Sequence, residues 1–378
     1  MSNTGPLEEE FLEKINYIKM LIRDGHVADG LKRIEEMEQQ YGPDFTSLPP
    51  SVRYLIPFCK GRAYLQMKQP NLAGPELETA LGLTELGTEA DARSRNLLGV
   101  VHYMQEQPSL ALRYHLACIH TIAMLRIKDH NFRLSVYQNL ANDYWALNDV
   151  PNAISAYKEA LRILKDLDDP ERQADIFWGL ALAYKSIQQW RYARLFVARA
   201  IEVFRSTGNV VAEAAMCINL ADILIEEGRI VEVQPWLDKA ASTLSGTDDH
   251  GALSFLHRYY AELDRLRGDL GEASLHAAKS IQHAELLIES RQSASHHLWI
   301  DPYRAYAESL HGAALIKEEE GDPQAADQLF DLAFQQLSKI TVWEIKRAIH
   351  LSYAAILKDR GDYERAVIHY KEANQPEA

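Results

Sequence analysis

Pairs of polar side chains at helical spacing are the first candidates for chemistry in this chain. Asn139 and Asn142 lie three residues apart, and so do Asn219 and Asp222. Residues at this spacing share one face of an α-helix, so each pair predicts a polar patch. A side-chain amide offers both a hydrogen-bond donor and an acceptor, which suits a peptide group. The patches are therefore candidate binding sites for a peptide or partner segment, and the alternative is that the amides bond a neighbouring helix.

Basic and aromatic side chains near these patches extend the candidate surface. Aromatic rings could form pockets for apolar side chains of a bound peptide, although rings at helical spacing also serve as packing residues. The predicted binding residues are Arg93, Asn96, Asn139, Asn142, Trp145, Trp178, Asn219, Asp222 and Arg258, with Phe255 and Tyr259 beside the last of them.

Histidine and cysteine side chains do not form a metal or catalytic pattern. His115 and Cys118 share a helix face, but His120 lies well round the helix from them, which argues against a metal site. His102 and His115 occupy repeat positions where large packing residues belong, so core or half-buried positions are predicted for them. The adjacent His296 and His297 point apart on a helix and indicate a loop. Motifs typical of a nucleophile elbow, a zinc protease, a P-loop or a dinucleotide site do not occur. We therefore predict no catalytic residue, no metal and no cofactor.

Composition limits the class of partner and the compartment. The formal net charge is −14, whereas a nucleic-acid-binding module normally carries a basic stripe. Cys59, Cys118 and Cys217 are odd in number and far apart, which argues against a disulfide scaffold. No apolar run is long enough to span a bilayer, and the acidic first residues lack the apolar core of a secretory signal. We expect a cytoplasmic protein that binds neither nucleic acid nor membrane directly.

A repeated helical unit must position the candidate side chains. Its best-formed copy, residues 134–167, has apolar and small residues three or four apart on two helices, with a break at Asn148-Asp149. Leu140, Leu180 and Leu220 are equivalent in successive copies and lie 40 residues apart. Strand patterns are almost absent. The period predicts an all-α stack of helix pairs, in which each pair buries its apolar surface against its neighbours.

The unit resembles the tetratricopeptide repeat. Its signature positions hold Leu140, Ala141, Tyr144, Ala153, Tyr157 and Ala160. The usual period is about 34 residues, and the longer one here is similar to those of the peptide-sensing bacterial regulators (the Rap, NprR and PlcR group), the MalT sensor domain, kinesin light chain and LGN. The resemblance implies a right-handed superhelical solenoid of antiparallel helix pairs, with the first helices on the concave face. It also implies that asparagines on those helices clamp the backbone of an extended peptide.

Breaks in the period suggest boundaries along the chain. Residues 1–50 are a predicted helical hairpin that turns at Asp24-Gly25 and could be a divergent first repeat, and residues 51–283 are the main array. Residues 284–306 are either an insertion or lengthened helices, with a helix restart at Asp301-Pro302, and residues 307–378 are C-terminal repeats.

The expected function is binding rather than catalysis. The chain is expected to be an adaptor or sensor that holds a peptide or protein segment in its concave groove, and the long period favours a bacterial peptide-sensing regulator. Two alternatives stay open. One is a modulator of a signalling enzyme, similar to the Rap phosphatases, and the other is a self-assembling scaffold, for which a homodimer is expected.

Overall fold

The computed structural model describes residues 6–290, 301–340 and 343–374. Within these ranges the regular secondary structure is helical and no strand occurs. The predicted all-α fold class is confirmed. In the described part of the chain, none of the helices is long and apolar enough to cross a membrane. The chain divides into two compact units, unit 1 (Met1–Asp169) and unit 2 (Pro170–Ala378).

Unit 1 is built from successive helices packed in antiparallel pairs. Its helices are α1 (Pro6–Arg23), α2 (Val27–Tyr41), α3 (Pro50–Arg53), α4 (Leu55–Gln66), α5 (Pro70–Gly82), α6 (Glu89–Met104), α7 (Pro108–Leu125), α8 (His130–Ala146) and α9 (Val150–Leu164), with a 3-10 helix over Gly42–Ser47. The pairs are α4–α5, α6–α7 and α8–α9. Among the first helices of these pairs, α4 contacts α6 and α6 contacts α8.

Unit 2 is also built from antiparallel helix pairs. Its helices are α10 (Pro170–Ser186), α11 (Trp190–Thr207), α12 (Val210–Glu226), α13 (Gln234–Leu244), α14 (His250–Arg267), α15 (Leu270–Glu289), α16 (Pro302–Glu319), α17 (Pro323–Leu337), α18 (Trp343–Asp359) and α19 (Tyr363–Glu372), with a 3-10 helix over Ile230–Glu232. Each odd-numbered helix packs on the even-numbered helix before it, and α14 contacts both α12 and α16.

The turn inside each helix pair has a left-handed residue at a fixed place. In chain order this residue is Lys68, Glu106, Asn148, Gln188, Gly228, Gly268, Gly321 and Gly361, with φ between 57° and 84°. An aspartate often follows it and caps the second helix, because its side chain accepts a hydrogen bond from the backbone N–H three residues on. Such caps are Asp149, Asp269, Asp322 and Asp362.

A fully buried small residue follows the left-handed residue by five positions. It is alanine in seven of the eight pairs, namely Ala73, Ala111, Ala153, Ala193, Ala273, Ala326 and Ala366. The eighth pair has Val233 instead, and there a 3-10 turn precedes the late start of α13. Among these eight pairs, the second helix starts late in the pair where the buried residue is larger than alanine.

The N-terminal hairpin follows the same spacing. Gly25 has φ of 87°, and five residues later a Cβ on Gly30 would lie 2.7 Å from Ile22 Cγ1. Phe11, Ile15 and other buried residues of α1, α2 and α4 form one core. These features support our proposal that residues 1–50 contain a divergent first repeat.

A fully buried polar pair joins α7 to α8 inside unit 1. His115 Nδ1 lies 2.5 Å from Asp143 Oδ2, and His115 Nε2 donates to the Asn96 carbonyl over 3.2 Å. Burial raises the pKa of Asp143. A Cβ on Gly99 would lie 2.4 Å from His115 Nε2, so glycine makes room for the ring. The predicted core position of His115 is confirmed.

The predicted start of a helix at Asp301-Pro302 is confirmed. Asp301 caps α16, because its side chain accepts hydrogen bonds from the N–H groups of Tyr303 and Arg304. The preceding helix α15 extends to Glu289. The predicted loop residues His296 and His297 lie outside the described residues. The choice between an insertion and lengthened helices therefore stays a prediction.

Glycine at an exposed left-handed turn is expected to stabilise the fold. Gln188 is exposed and has φ of 57°. The left-handed region costs an L side chain about 1–2 kcal/mol, and glycine loses about 0.5–1 kcal/mol more chain entropy on folding. We therefore expect Gln188→Gly to raise the free energy of unfolding by about 0.5 kcal/mol, measured by urea denaturation. Asn148→Gly is the matched control and should gain less, because asparagine tolerates this conformation. A loss of stability at Gln188 would contradict the argument.

Candidate functional site

The predicted amide patch of unit 1 lies on α6 and α8. Asn139 donates from Nδ2 to Asn96 Oδ1 over 3.1 Å, and Asn142 Oδ1 accepts from the Tyr157 hydroxyl over 2.7 Å. Asn96 is buried, so its amide serves packing. Within the described residues, Asn139 Oδ1 and Asn142 Nδ2 make no hydrogen bond to the protein. Both belong to half-buried side chains.

Arg93, another predicted binding residue, joins two helices of unit 1. Its Nη2 lies 2.6 Å from both Glu89 Oε1 and Asp129 Oδ2, and its guanidinium lies over the Phe132 ring. Because Asp129 caps α8, Arg93 ties α6 to the start of α8. Trp145 is half-buried on α8, three residues after the second patch asparagine.

The predicted residues of α10 and α12 have different surroundings in unit 2. Asn219 Nδ2 donates to the carbonyl of Ala215 in its own helix over 3.0 Å. Asp222 Oδ2 lies 2.5 Å from Lys185 Nζ on α10. Trp178, also on α10, is half-buried, and its indole Nε1 has no hydrogen-bond partner among the described residues.

A cavity of about 250 Å³ lies within unit 2 among α12, α14, α15 and α16. We call it the polar cavity. Its polar lining consists of Asp222, Glu226, Arg258, Tyr259, Glu262, Ser280, Glu308, Ser309 and His311. Two predicted binding residues, Asp222 and Arg258, and the neighbouring Tyr259 therefore meet in one cavity. Glu308 and Gly312, which also line it, were missed, because a carboxylate and a glycine on a surface helix carry no distinctive sequence signal.

Arg258 and Glu308 are incompletely paired in the polar cavity. Arg258 Nη2 and Glu308 Oε2 are 3.9 Å apart, and the guanidinium lies 4.3 Å from the Tyr259 ring centroid and 5.0 Å from that of Phe255. Arg258 Nε and Glu308 Oε2 are buried and have no hydrogen-bond partner among the described residues. Because an unpaired buried polar atom costs about 1–3 kcal/mol, these two atoms mark the cavity as a candidate binding site.

Neutral hydroxyls and a neutral imidazole form other parts of the cavity lining. Ser280 and Ser309 are buried, with their Oγ atoms 2.7 Å apart, and Ser254 joins them from α14. Burial, together with the charge of Arg258, lowers the pKa of His311 to about 4. His311 is therefore uncharged at neutral pH and adds no charge to the cavity.

Histidine pairs in unit 2 were missed by the sequence reasoning. The Nδ1 atoms of His257 and His276 are 3.0 Å apart across α14 and α15, and those of His250 and His283 are 3.2 Å apart. The seven-residue spacing of these histidines on each helix was an available signal. Within the described chain, no group of three or more His, Cys, Asp or Glu residues is arranged to hold a metal ion.

A second example of a histidine pair in unit 2 indicates the structural role of these pairs. His350 and His369 on α18 and α19 have Nδ1 atoms 2.9 Å apart. In the sequence they have the same spacing from the left-handed Gly361 as His257 and His276 have from Gly268. Phe177 and Phe196 occupy the equivalent positions in α10–α11, with ring centroids 5.9 Å apart. The histidine pairs therefore pack two helices together where aromatic rings do so elsewhere.

A family model described as tetratricopeptide repeat matches residues 133–167. This range covers most of α8 and all of α9, with their buried residues Ala141, Ala153 and Ala160. Residues 133–167 are a tetratricopeptide repeat. The seven other pairs from α4–α5 to α18–α19 share its left-handed turn, and six of them share its buried alanine, so the described chain has the fold of a tetratricopeptide-repeat array.

Two solved structures share this fold over nearly the whole chain. Aspartyl phosphate phosphatase F from Bacillus subtilis has a TM-score of 0.62 at 14% identity, covering 99% of this chain and 95% of that one. A Rap protein complexed with competence and sporulation factor has a TM-score of 0.61 at 15% identity, covering 97% of each chain. At these identities the likeness shows the fold alone.

Curated relatives with detectable sequence similarity are much longer. The intraflagellar transport protein 172 homologs of Rattus norvegicus and Mus musculus are 24% identical over 374 residues, or 90% of this chain. This chain spans 21% of their length.

Protonation of the histidine pairs is expected to destabilise unit 2. Burial and the neighbouring His276 and His283 lower the pKa of His257 from its ordinary 6.5 to about 4, and burial and His369 do the same for His350. Between these pH values the unfolded chain binds more protons than the folded chain. The stability that the neutral pairs contribute is therefore complete above pH 6.5 and is lost as the pH falls toward 4.

The double variant His257→Phe, His276→Phe tests this expectation. It replaces one histidine pair by the phenylalanine pair that stands at the equivalent positions of α10 and α11. The midpoint of thermal unfolding should depend less on pH between 6.5 and 4 in this variant than in the wild type. His120→Gln, at an exposed position on α7, is the control and should keep the wild-type profile. Parallel profiles for the double variant and the wild type would show that the pairs do not titrate in this way.

Proposed function

We propose that this chain is a binding platform that holds an extended peptide or partner segment, with the polar cavity of unit 2 as an anchor for one side chain. The observation that carries the proposal is the unpaired Arg258 Nε and Glu308 Oε2 in that cavity. The cavity volume of about 250 Å³ is below the range of roughly 300–1,000 Å³ typical of small-molecule pockets. A single side chain of a longer ligand therefore suits it better than a whole small molecule.

The amide patches are proposed as contacts to the ligand backbone. In unit 1, Asn139 Oδ1 and Asn142 Nδ2 offer an acceptor and a donor on one face of α8, which matches the donor and acceptor of a peptide group. In unit 2, Asn219 and Asp222 are the corresponding proposed pair on α12. The Rap protein complexed with competence and sporulation factor supports the proposal, because it has the same fold and holds a bound factor.

A second candidate function is modulation of a signalling enzyme. It is favoured by the fold likeness to an aspartyl phosphate phosphatase over 99% of this chain. Mixing the chain with phosphorylated response regulators and following the loss of the aspartyl phosphate tests it directly. A scaffold function, the third possibility, requires self-association, and a chain that stays dimeric at nanomolar concentration would favour it.

Filling the polar cavity is expected to abolish anchoring. Random peptides displayed on phage are panned against the full chain, and a recovered peptide is titrated by calorimetry. Gly312→Leu places a side chain at the cavity wall, where a Cβ would have Arg258 Cγ as its nearest neighbour at 4.0 Å. We expect the affinity to fall at least about tenfold, which corresponds to about 1.4 kcal/mol.

The matched control is Gly312→Ala, which fits in ordinary contact and should bind within about twofold of the wild type. Circular dichroism and thermal unfolding establish that both variants are folded. Recovered peptides that bind Gly312→Leu as tightly as the wild type would exclude the cavity as the anchor, and failure to recover any specific peptide would count against peptide binding itself.

A further inference from the structure

The chemistry of the polar cavity narrows the class of side chain that it accepts. Two unpaired atoms differ in kind, because Arg258 Nε–H can only donate a hydrogen bond and the Glu308 carboxylate oxygen Oε2 can only accept one. Their side chains are 25% and 15% exposed and lie in one cavity. A ligand group that satisfies both atoms must therefore offer an acceptor and a donor close together.

The other carboxylates of the cavity already have cationic partners. Lys185 Nζ lies 2.5 Å from Asp222 Oδ2 and 2.8 Å from Glu226 Oε1. Arg265 holds Glu262 with Nη2 2.7 Å from Oε1. These contacts engage Asp222, Glu226 and Glu262, so Glu308 is the remaining carboxylate of the described cavity lining.

Among the described residues, only one oxygen of the Glu308 carboxylate has a close cationic partner. Its Oε1 lies 3.4 Å from Arg304 Nε, whereas Oε2 has only Arg258 Nη2 at 3.9 Å. The four carboxylates Asp222, Glu226, Glu262 and Glu308 thus face four cations, Lys185, Arg258, Arg265 and Arg304, in approximate charge balance, and Arg265 also contacts Glu319. A ligand with a net charge would disturb this balance in a poorly solvated site, where an unpaired charge is costly.

We infer that the polar cavity selects a primary carboxamide, the side chain of glutamine or asparagine in the bound segment. Its carbonyl oxygen accepts from Arg258 Nε–H, and its NH₂ group donates to Glu308 Oε2. A carboxylate would accept a hydrogen bond from Arg258 but be repelled by Glu308, and an ammonium would donate to Glu308 but be repelled by Arg258. A hydrocarbon side chain would leave both atoms unpaired. This inference rests on the proposed function, because it specifies the side chain that the anchor holds.

Four peptide sublibraries test the selection. They are fluorescent hexapeptides with acetyl and N-methylamide ends, randomised at five positions and fixed at the sixth as glutamine, glutamate, lysine or norleucine. Binding to the full wild-type chain is measured by fluorescence polarisation. We expect the glutamine sublibrary to bind at least about tenfold more tightly than the other three, a discrimination of about 1.4 kcal/mol. Preference for glutamate, lysine or norleucine, or equal binding of all four, would overturn the inference.

A change of specificity in Glu308→Gln gives a second, sharper test. This variant replaces the acceptor-only carboxylate by an amide and leaves Arg258 without its counter-charge, so the preference should move from glutamine to glutamate. Glu289→Gln, at an exposed position outside the cavity, is the matched control and should keep the preference for glutamine. An unchanged preference in folded Glu308→Gln would overturn the inference.

Arg258→Lys keeps the positive charge but removes the Nε donor. This variant tests the carboxamide preference if Glu308→Gln does not fold. We expect this variant to lose the preference for glutamine over norleucine, and a retained preference would overturn the inference. Failure of the inference differs visibly from failure of the proposed function. Peptides that bind without selectivity leave the binding platform in place, whereas peptides that do not bind at all remove both.

Discussion

The packing of each helix pair around a small buried residue is the constraint on which this array depends. A left-handed turn residue directs the second helix back along the first, and the alanine five positions later is buried completely in nearly every pair. A helix pair built in this way has apolar surface on both sides, so it is stable only when neighbouring pairs cover it. The pair with Val233 illustrates the constraint, because its second helix starts with a 3-10 turn.

Several polar groups inside the array are paired with one another, whereas the candidate site combines two unpaired polar atoms with a cavity. Both imidazole nitrogens of His115 have acceptors within the core, and the α14–α15 and α18–α19 histidines contact one another. Leaving a buried polar atom unpaired typically costs about 1–3 kcal/mol. Arg258 Nε and Glu308 Oε2 are unpaired in a cavity that a ligand could fill, which is why we place the anchor there.

Most of the fold could be predicted from the sequence, whereas the site could be predicted only in part. The 40-residue period and the signature residues of α8 and α9 are local patterns, and they predicted the helix pairs. Asp222 was predicted because it stands three residues after Asn219, and Arg258 because it lies beside aromatic residues; both line the polar cavity. Glu308 was missed, because its significance arises from contact between α14 and α16, which are separate in the sequence. Asn96 was predicted to face a ligand, but the structure shows its amide bonded to Asn139.

By itself, the sequence determined that this protein is an all-α array of tetratricopeptide type. The apolar periodicity and the spacing of small residues are local features, because they depend only on neighbouring turns of one helix and on the helix paired with it. Only the tertiary structure decided which polar side chains are used for packing and which remain unpaired. Whether Asn139 bonds another side chain, or Arg258 lacks a partner for its Nε, depends on what adjacent helices bring to the same point. Hydrogen bonds act over about 3 Å, and such proximity between distant residues is created by stacking of the helix pairs.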